Sequence, residues 1–286
     1  MIIIRTVREL RDAVRGARAR GNRVGLVPTM GAFHEGHLTL MRHAGEVCEF
    51  VVVSLFVNPT QFNDPGDIAR YPRDEARDAE LASSAGADVL FAPPSSEVYP
   101  DGFATVVEVT DLSEPLEGVV RGAQHFRGVA TVVAKLLNMV QPDDAFFGQK
   151  DAQQALIIRR LVRDLDIPVR IEVCPTVREA DGLAMSSRNA LLDPASRALA
   201  PALSRALFAV AEAVARGEAN AEHALAAGHA ILRATGIVPE YFAAVSAATL
   251  APVDTFDGET LVPIAARVGG VRLIDNVIIG SGTVRA

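Results

Sequence analysis

Residues 50–57 read Phe-Val-Val-Val-Ser-Leu-Phe-Val, eight positions with one polar side chain. A strand with one wet face alternates apolar and polar residues. An unbroken apolar run of this length fits a strand covered on both faces, the habit of parallel sheets. Parallel neighbours need long crossovers, usually helices, and the chain supplies them in alternation. Residues 24–27 form a second strand candidate, followed by a helical pattern over about 36–48. A helix is expected over 73–85 and a strand at 88–92, stopped by Pro93-Pro94. A helix over 128–140 carries Val129, Val132, Val133, Leu136 and Leu137 on one face. A strand at 145–147, a helix over 152–165 and a strand at 169–173 complete the series. This rhythm specifies an α/β fold, a mostly parallel sheet with helices on both faces.

The pattern changes after residue 177. Asp193-Pro194 is a helix start, an Asp cap followed by Pro in the first turn. An Ala-rich helix is expected from there to about Gly217, and another over 221–234 ending at Gly236. Strands are expected at 241–245, 261–268 and 271–279, the last two joined at Gly269-Gly270, a hairpin turn signal. Two domains follow: residues 1–176, and a smaller C-terminal α+β domain over 177–286, with the loop 178–190 carrying the connection. The net charge of -7, without a basic cluster, argues against a nucleic-acid partner. The N-terminus lacks a secretory layout, and no apolar run approaches the ~18 residues of a membrane span. A cytoplasmic protein with no membrane partner is expected. Cys48 and Cys174, far apart in apolar stretches, are expected to be buried free thiols.

Candidate chemistry gathers where strands end. Residues 28–37 read Pro-Thr-Met-Gly-Ala-Phe-His-Glu-Gly-His and join the short apolar run at 24–27 to its helix. A helix N-terminus carries orphan N–H groups and partial positive charge, which suit phosphate. His34 and His37 there can donate to phosphate oxygens, with at least one expected to be neutral because the helix field disfavours imidazolium. Two other readings stand beside this one: a pair of histidines that only cap the helix, and a zinc site. Zinc is disfavoured because the metalloprotease motif spaces its histidines four apart. Gln61, after the buried strand, offers a donor and an acceptor. Gly148 allows close backbone approach, Lys150 supplies a compact cation, and Gln154 lies about one turn after Asp151. Ser186, Ser187 and Arg188, in a loop between the domains, can close over a triphosphate. His125, with Arg121 and Arg127, either touches phosphate or caps a helix. Asp78 can approach a nucleotide-bound magnesium, but an exposed helical carboxylate is the favoured reading. No protein nucleophile is required and no protein metal ligand is assigned: such a site orients ATP and neutralises the leaving pyrophosphate.

Together these residues resemble the pantoate–β-alanine ligase (pantothenate synthetase) family of the HxGH nucleotidyltransferase superfamily. The matching blocks are PTMGAFHEGH (28–37), FVNPTQF (56–62), YPRD (71–74), HFRGVATVVAKLLN (125–138), FFGQKDAQQ (146–154), PTVREADGLAMSSRN (175–189) and RLIDN (272–276). The resemblance implies a Rossmann-like ATP- and pantoate-binding domain, a C-terminal lid domain and a homodimer. It implies a ligase with pantoate, β-alanine and ATP as substrates and Mg2+ accompanying ATP. Pantoate carboxylate attacks the α-phosphorus, giving pantoyl adenylate and pyrophosphate. The β-alanine amine then forms the amide of pantothenate, the precursor of coenzyme A, and releases AMP. By position, Met30, Gly31, Ala32, Phe33, His34, Glu35, Gly36 and His37 would form the ATP phosphate loop, with His37 the proton donor. Gly148, Gln149, Lys150, Asp151 and Val177 would contact ATP, and Met185, Ser186, Ser187 and Arg188 would form the closing loop. Gln61 and Gln154 would hold pantoate. The family pattern usually has Glu at Gln149 and an aromatic residue at Ala152; its acidic pair after YPR is reduced to Asp78 beside Arg77, and the stretch from Arg121 to His125 is one residue longer. Two alternatives stand beside this reading: a related adenylyltransferase for another small hydroxy acid, and, motivated by Gln149 and Arg77, an ATP-binding protein without turnover.

Overall fold

The computed structural model describes residues 1–62, 66, 68, 71–280 and 283–286. The chain divides into two compact units, Met1–Gly148 with Gln153–Cys174, and Gln149–Ala152 with Pro175–Ala286. The division is not a single cut in the sequence, because four residues after Gly148 group with the C-terminal part.

The first unit is built on six parallel strands: β1 (Ile2–Ile4), β2 (Val24–Thr29), β3 (Phe50–Leu55), β4 (Val89–Phe91), β5 (Asp144–Gly148) and β6 (Arg170–Cys174), in the order β1-β4-β3-β2-β5-β6. The helices are α1 (Val7–Ala19), α2 (Glu35–Val47), α3 (Glu75–Ser84), the short α4 (Ser95–Val98) and α5 (Glu117–Arg121), then α6 (Ala123–Val140) and α7 (Ala152–Asp164). The apolar β3 run is explained by alternation across the pleat. Phe50 and Val52 join Leu26, Phe91 and Phe147 in the layer with α1, α6 and α7. Val51 and Val53 join Val27, Leu90 and Phe146 in the layer with α2 and α3. Each such side chain contributes about 1.5–3 kcal/mol on full burial. From β2 the strand order runs outward one way through β3 and β4, and the other way through β5 and β6. The carboxyl ends of β2 and β5 therefore flank the switch point where open α/β sheets bind ligands.

The first 23 residues hold two elements absent from the sequence expectation. β1 forms the sheet edge beside β4. α1 opens with a capping box, Thr6 Oγ1 accepting from Glu9 N–H while Glu9 Oε2 accepts from Thr6 N–H. That T-x-x-E signature stood in the sequence. α6 starts at Ala123 rather than at residue 128, which places His125 in its first turn.

In the second unit, α8 (Pro194–Leu199), α9 (Ala202–Ala215) and α10 (Ala221–Thr235) pack on a five-stranded sheet of β7 (Pro239–Phe242), β8 (Val245–Ser246), β9 (Thr260–Val268), β10 (Val271–Gly280) and β11 (Thr283–Arg285). The pairings are antiparallel. The single helix expected from Asp193 onward is two, broken by a turn at Ala200-Pro201, where Pro lacks an N–H for the ladder. Counter to expectation, Pro194–Ala215 is by length and composition apolar enough to cross a membrane. Its apolarity has another use: Leu203, Ala206, Leu207 and Val210 are buried in one core with Val262, Ile264 and Val277. Gly269 and Gly270 make the β9–β10 turn, both at positive φ.

Candidate active site

The residues after β2 fold into a tight loop before α2. Gly31 sits at φ +89° and Ala32 at +53°, both in the left-handed region. For Ala32 this costs on the order of 1 kcal/mol and requires outside support. Asp78 of α3 supplies it: Oδ2 accepts from Ala32 N–H and Oδ1 from Phe33 N–H, each at 2.8 Å. Asp78 is 2% exposed. The expectation of an exposed carboxylate is therefore corrected, and both oxygens already have hydrogen-bond partners. A Cβ on Gly31 would meet Asp78 Oδ2 at 2.9 Å and Leu55 Cδ1 at 2.6 Å. Glycine is thus needed at that position both for its φ and for the closeness of the clamp.

His34 is the N-cap of α2, its Nδ1 accepting from Gly36 N–H at 3.2 Å. His37 Nδ1 in turn accepts from His34 N–H at 3.4 Å, and His37 N–H donates to the His34 carbonyl. The capping reading and the site reading are therefore compatible. A ring nitrogen that accepts carries no proton, so each neutral imidazole bears its hydrogen on Nε2. The two rings lie 4.2 Å apart, centroid to centroid. The loop thus holds two imidazoles side by side, each with its Nδ1 turned to a backbone N–H, while the N–H groups of Ala32, Phe33, Gly36 and His37 are engaged within the protein. Met30, half-buried, faces Gln61, and Glu35 is exposed and paired with Arg42.

Gln61 lies in a 3-10 turn, Pro59–Gln61, just beyond β3. Asn58, 1% exposed, donates to Gln61 Oε1 at 3.0 Å and to the Gly128 carbonyl at 3.1 Å. Asn58 Oδ1 accepts from Tyr99 OH at 2.9 Å, and burial pushes the Tyr99 phenol above its ordinary pKa, keeping it a donor. Gln61 Nε2 lies 3.0 Å from Met30 Sδ. His125 Nδ1 donates to the Gln61 carbonyl at 2.8 Å. Helix α6 presses on the turn so closely that a Cβ on Gly128 would lie 2.5 Å from the Thr60 carbonyl oxygen. Sequence reasoning singled out Gln61 and missed Asn58, the residue that orients it; its place right after a buried strand was the available signal. Gln154 is half-buried on α7, and its neighbour Gln153 is buried against Glu117, Leu112 and Pro115. Arg121 pairs with Glu117.

In the second unit, Gln149, Lys150 and Asp151 form a 3-10 turn after Gly148. Gln149 is buried, its Nε2 donating to the Arg285 carbonyl at 3.0 Å and to Asn276 Oδ1 at 3.3 Å. Lys150 is half-buried and Asp151 exposed. Met185 N–H donates to the Val177 carbonyl, bringing those two residues together. Ser186 Oγ caps the 3-10 turn Ser187–Leu191 by accepting from Arg188 N–H. Ser186 and Ser187 are half-buried and Arg188 exposed. The loop is anchored by Asn189, which donates to Glu179 Oε1 and the Ala184 carbonyl. It is anchored as well by Arg178, whose guanidinium makes a two-point pair with buried Asp275 at 2.7 and 3.1 Å. Burial pushes the Asp275 carboxyl above its ordinary pKa, against the opposing pull of Arg178.

A family model described as pantoate-beta-alanine ligase matches residues 2–278. The pantothenate synthetase of Cereibacter sphaeroides is 54% identical over 275 residues, covering 96% of this chain and 98% of that one. That of Pelotomaculum thermopropionicum is 49% identical over 281 residues, covering 98% and 99%. The crystal structure of pantothenate synthetase from Thermus thermophilus superposes with a TM-score of 0.91 at 48% identity, covering 96% of this chain and 98% of that one. The pantoate-beta-alanine ligase of Francisella tularensis, solved with beta-gamma ATP and beta-alanine, gives a TM-score of 0.78 at 34% identity, covering 97% of each chain. With its loop of two capped imidazoles at the switch point of a parallel sheet, and relatives alike from end to end, this chain belongs to the pantoate–β-alanine ligase family.

Proposed function

We propose that the chain is an AMP-forming pantoate–β-alanine ligase that works through pantoyl adenylate. The observation that carries this reading is the loop after β2, where Asp78 fixes a strained backbone and the two imidazoles, 4.2 Å apart, each accept on Nδ1 and so carry the hydrogen of the neutral ring on Nε2. Preorganised donors of this kind stabilise charge as it develops on phosphate, without reorganisation during reaction. Pantoate carboxylate attacks the α-phosphorus of ATP; the bond to the bridging oxygen breaks and pyrophosphate leaves. His37 donates a hydrogen bond from Nε2–H to the departing oxygens, and His34 holds the phosphates. The β-alanine amine then attacks the acyl carbon, the acyl–oxygen bond breaks with its electrons leaving on AMP, and the nitrogen gives up one proton to solvent. Gln61, oriented by Asn58, and Gln154 hold pantoate. Lys150, with Ser186, Ser187 and Arg188, contributes positive charge and hydroxyls to ATP.

Magnesium is proposed to come with ATP as its counter-ion. Among the described residues no group of three or more His, Cys, Asp or Glu is placed to hold a metal ion, and Asp78 is engaged by backbone N–H groups. Magnesium of this kind keeps most of its water and takes phosphate oxygens as ligands. A homodimer in the cytoplasm completes the proposal.

The test is AMP release with ATP, pantoate and β-alanine, together with pyrophosphate exchange into ATP. Exchange is expected only with pantoate present; exchange indifferent to pantoate would refute the reading. His37→Ala is expected to slow adenylate formation by ~10²-fold or more with an unchanged melting temperature.

A further inference from the structure

The block RLIDN, near the end of the chain, has no part in the reaction sequence above, yet its last residue reaches the turn that carries Lys150. Asn276 lies on β10 and is 2% exposed. Its Nδ2 group has two hydrogens, and both are used on consecutive carbonyls of that turn, Gln149 O and Lys150 O, each at 3.0 Å. Its Oδ1 accepts from Gln149 Nε2. Its own N–H donates to Asp275 Oδ1 at 2.8 Å, and Asp275 is held from the other side by Arg178. One carboxamide thus fixes the peptide units on both sides of the Lys150 Cα. Only a side chain with two donors and an acceptor in one plane can do this.

We propose that Asn276 is the positioning residue for Lys150: by clamping the Gln149 and Lys150 carbonyls to β10 it sets the direction in which the Lys150 ammonium meets the phosphates of ATP. The inference rests on the reading of Lys150 as an ATP-binding cation. Its chemistry is specific. An aspartate at 276 has the same shape and no donor, so it sets carboxylate oxygens against two carbonyl oxygens. The turn then rotates away, and a flexible four-carbon side chain amplifies the rotation at Nζ.

The test is a double-mutant cycle on the full chain, with Asn276→Asp, Lys150→Ala and the pair, read as kcat/KM for ATP in the pantoate-dependent exchange assay. Asn276→Asp is expected to lower kcat/KM for ATP by about 10²-fold, the usual consequence of misplacing a catalytic contact by about 1 Å, with KM for pantoate little changed. In the Lys150→Ala background the same substitution is expected to cost less than about 3-fold, because residues acting through one another are not additive. Should the aspartate variant fail to fold, Asn276→Ser, which keeps one donor, runs in the same cycle with a smaller expected loss. Additive losses, or equal effects on ATP and pantoate, would overturn the proposal and leave Asn276 a packing residue. Failure of the wild-type chain to exchange pyrophosphate with pantoate present would instead refute the functional reading, so the two failures are distinct.

Discussion

Replacing Asp78 by asparagine separates a backbone clamp from a metal-facing carboxylate. The variant keeps the shape of the side chain but turns one acceptor oxygen into an NH2 group, 2.8 Å from the N–H of Ala32 or Phe33. A buried N–H left without a partner costs about 1–3 kcal/mol, and the surviving bond loses charge assistance worth about 1 kcal/mol. The expected destabilisation of the first unit is therefore roughly 2–4 kcal/mol, or a fall in its melting temperature of roughly 5–15 °C for a unit of this size. The loop also carries both imidazoles, so pantoate-dependent exchange is expected to fall by about 10²-fold. Calorimetry gives the first quantity and exchange kinetics at several magnesium concentrations give the second. The clamp predicts a lower melting temperature with an unchanged magnesium requirement. An unchanged melting temperature with a raised magnesium requirement would refute it and return Asp78 to the metal.

Three further perturbations probe other parts of the structure. Gly128→Ala drives a methyl to 2.5 Å from the Thr60 carbonyl oxygen, so the Gln61 turn must move; KM for pantoate is expected to rise about 10-fold or more, with KM for ATP unaffected. Burial pushes the thiols of Cys48 and Cys174 up to about 12 and about 11, so Ellman's reagent at pH 8 is expected to titrate neither in the native chain and both in guanidinium. Asp144 has a fully buried side chain; burial raises its pKa, but Arg23 and Arg170 outweigh that and hold it below the ordinary value. A depressed folded pKa stabilises above the unfolded value of about 3.9 and is lost as pH falls through the folded one. Asp144→Asn is thus expected to lower the urea midpoint at pH 7, with the gap closing below about pH 4; a gap independent of pH would refute the assignment.

The parallel sheet was legible because burial on both faces removes alternation, and Phe50 to Leu55 carry that mark. The histidine pair was legible because its residues lie three apart at a strand-to-helix junction. Asp78 was not, since a carboxylate in an amphipathic helix reads as solvated unless its partner is known, and its partners are the Ala32 and Phe33 N–H groups more than 40 residues away. β1 failed for another reason: three isoleucines at the N-terminus are too short a run to show a period. The break at Pro201 was visible in the sequence but masked by the surrounding alanines, whose helix propensity argues for continuity.

Position 149 shows how a departure from a family pattern changes meaning once its neighbours are known. Read alone, Gln149 in place of Glu removes a negative charge beside Lys150, and that loss motivated a reading without turnover. In the second unit the Gln149 side chain is directed at β10 and β11, donating to the Arg285 carbonyl and to Asn276 Oδ1. A carboxylate there would set its oxygens against two acceptors in a buried place, at a cost of about 1–3 kcal/mol or more for each unmade bond. The amide is therefore required by the packing of this unit, and it leaves Asn276 free to direct both its N–H groups at the carbonyls around Lys150. The buried carboxylate whose charge Lys150 does meet is Asp275, which Arg178 already partners. The Gln149 side chain, expected beside ATP, is instead committed to β10 and β11, and the packing of this unit explains the amide.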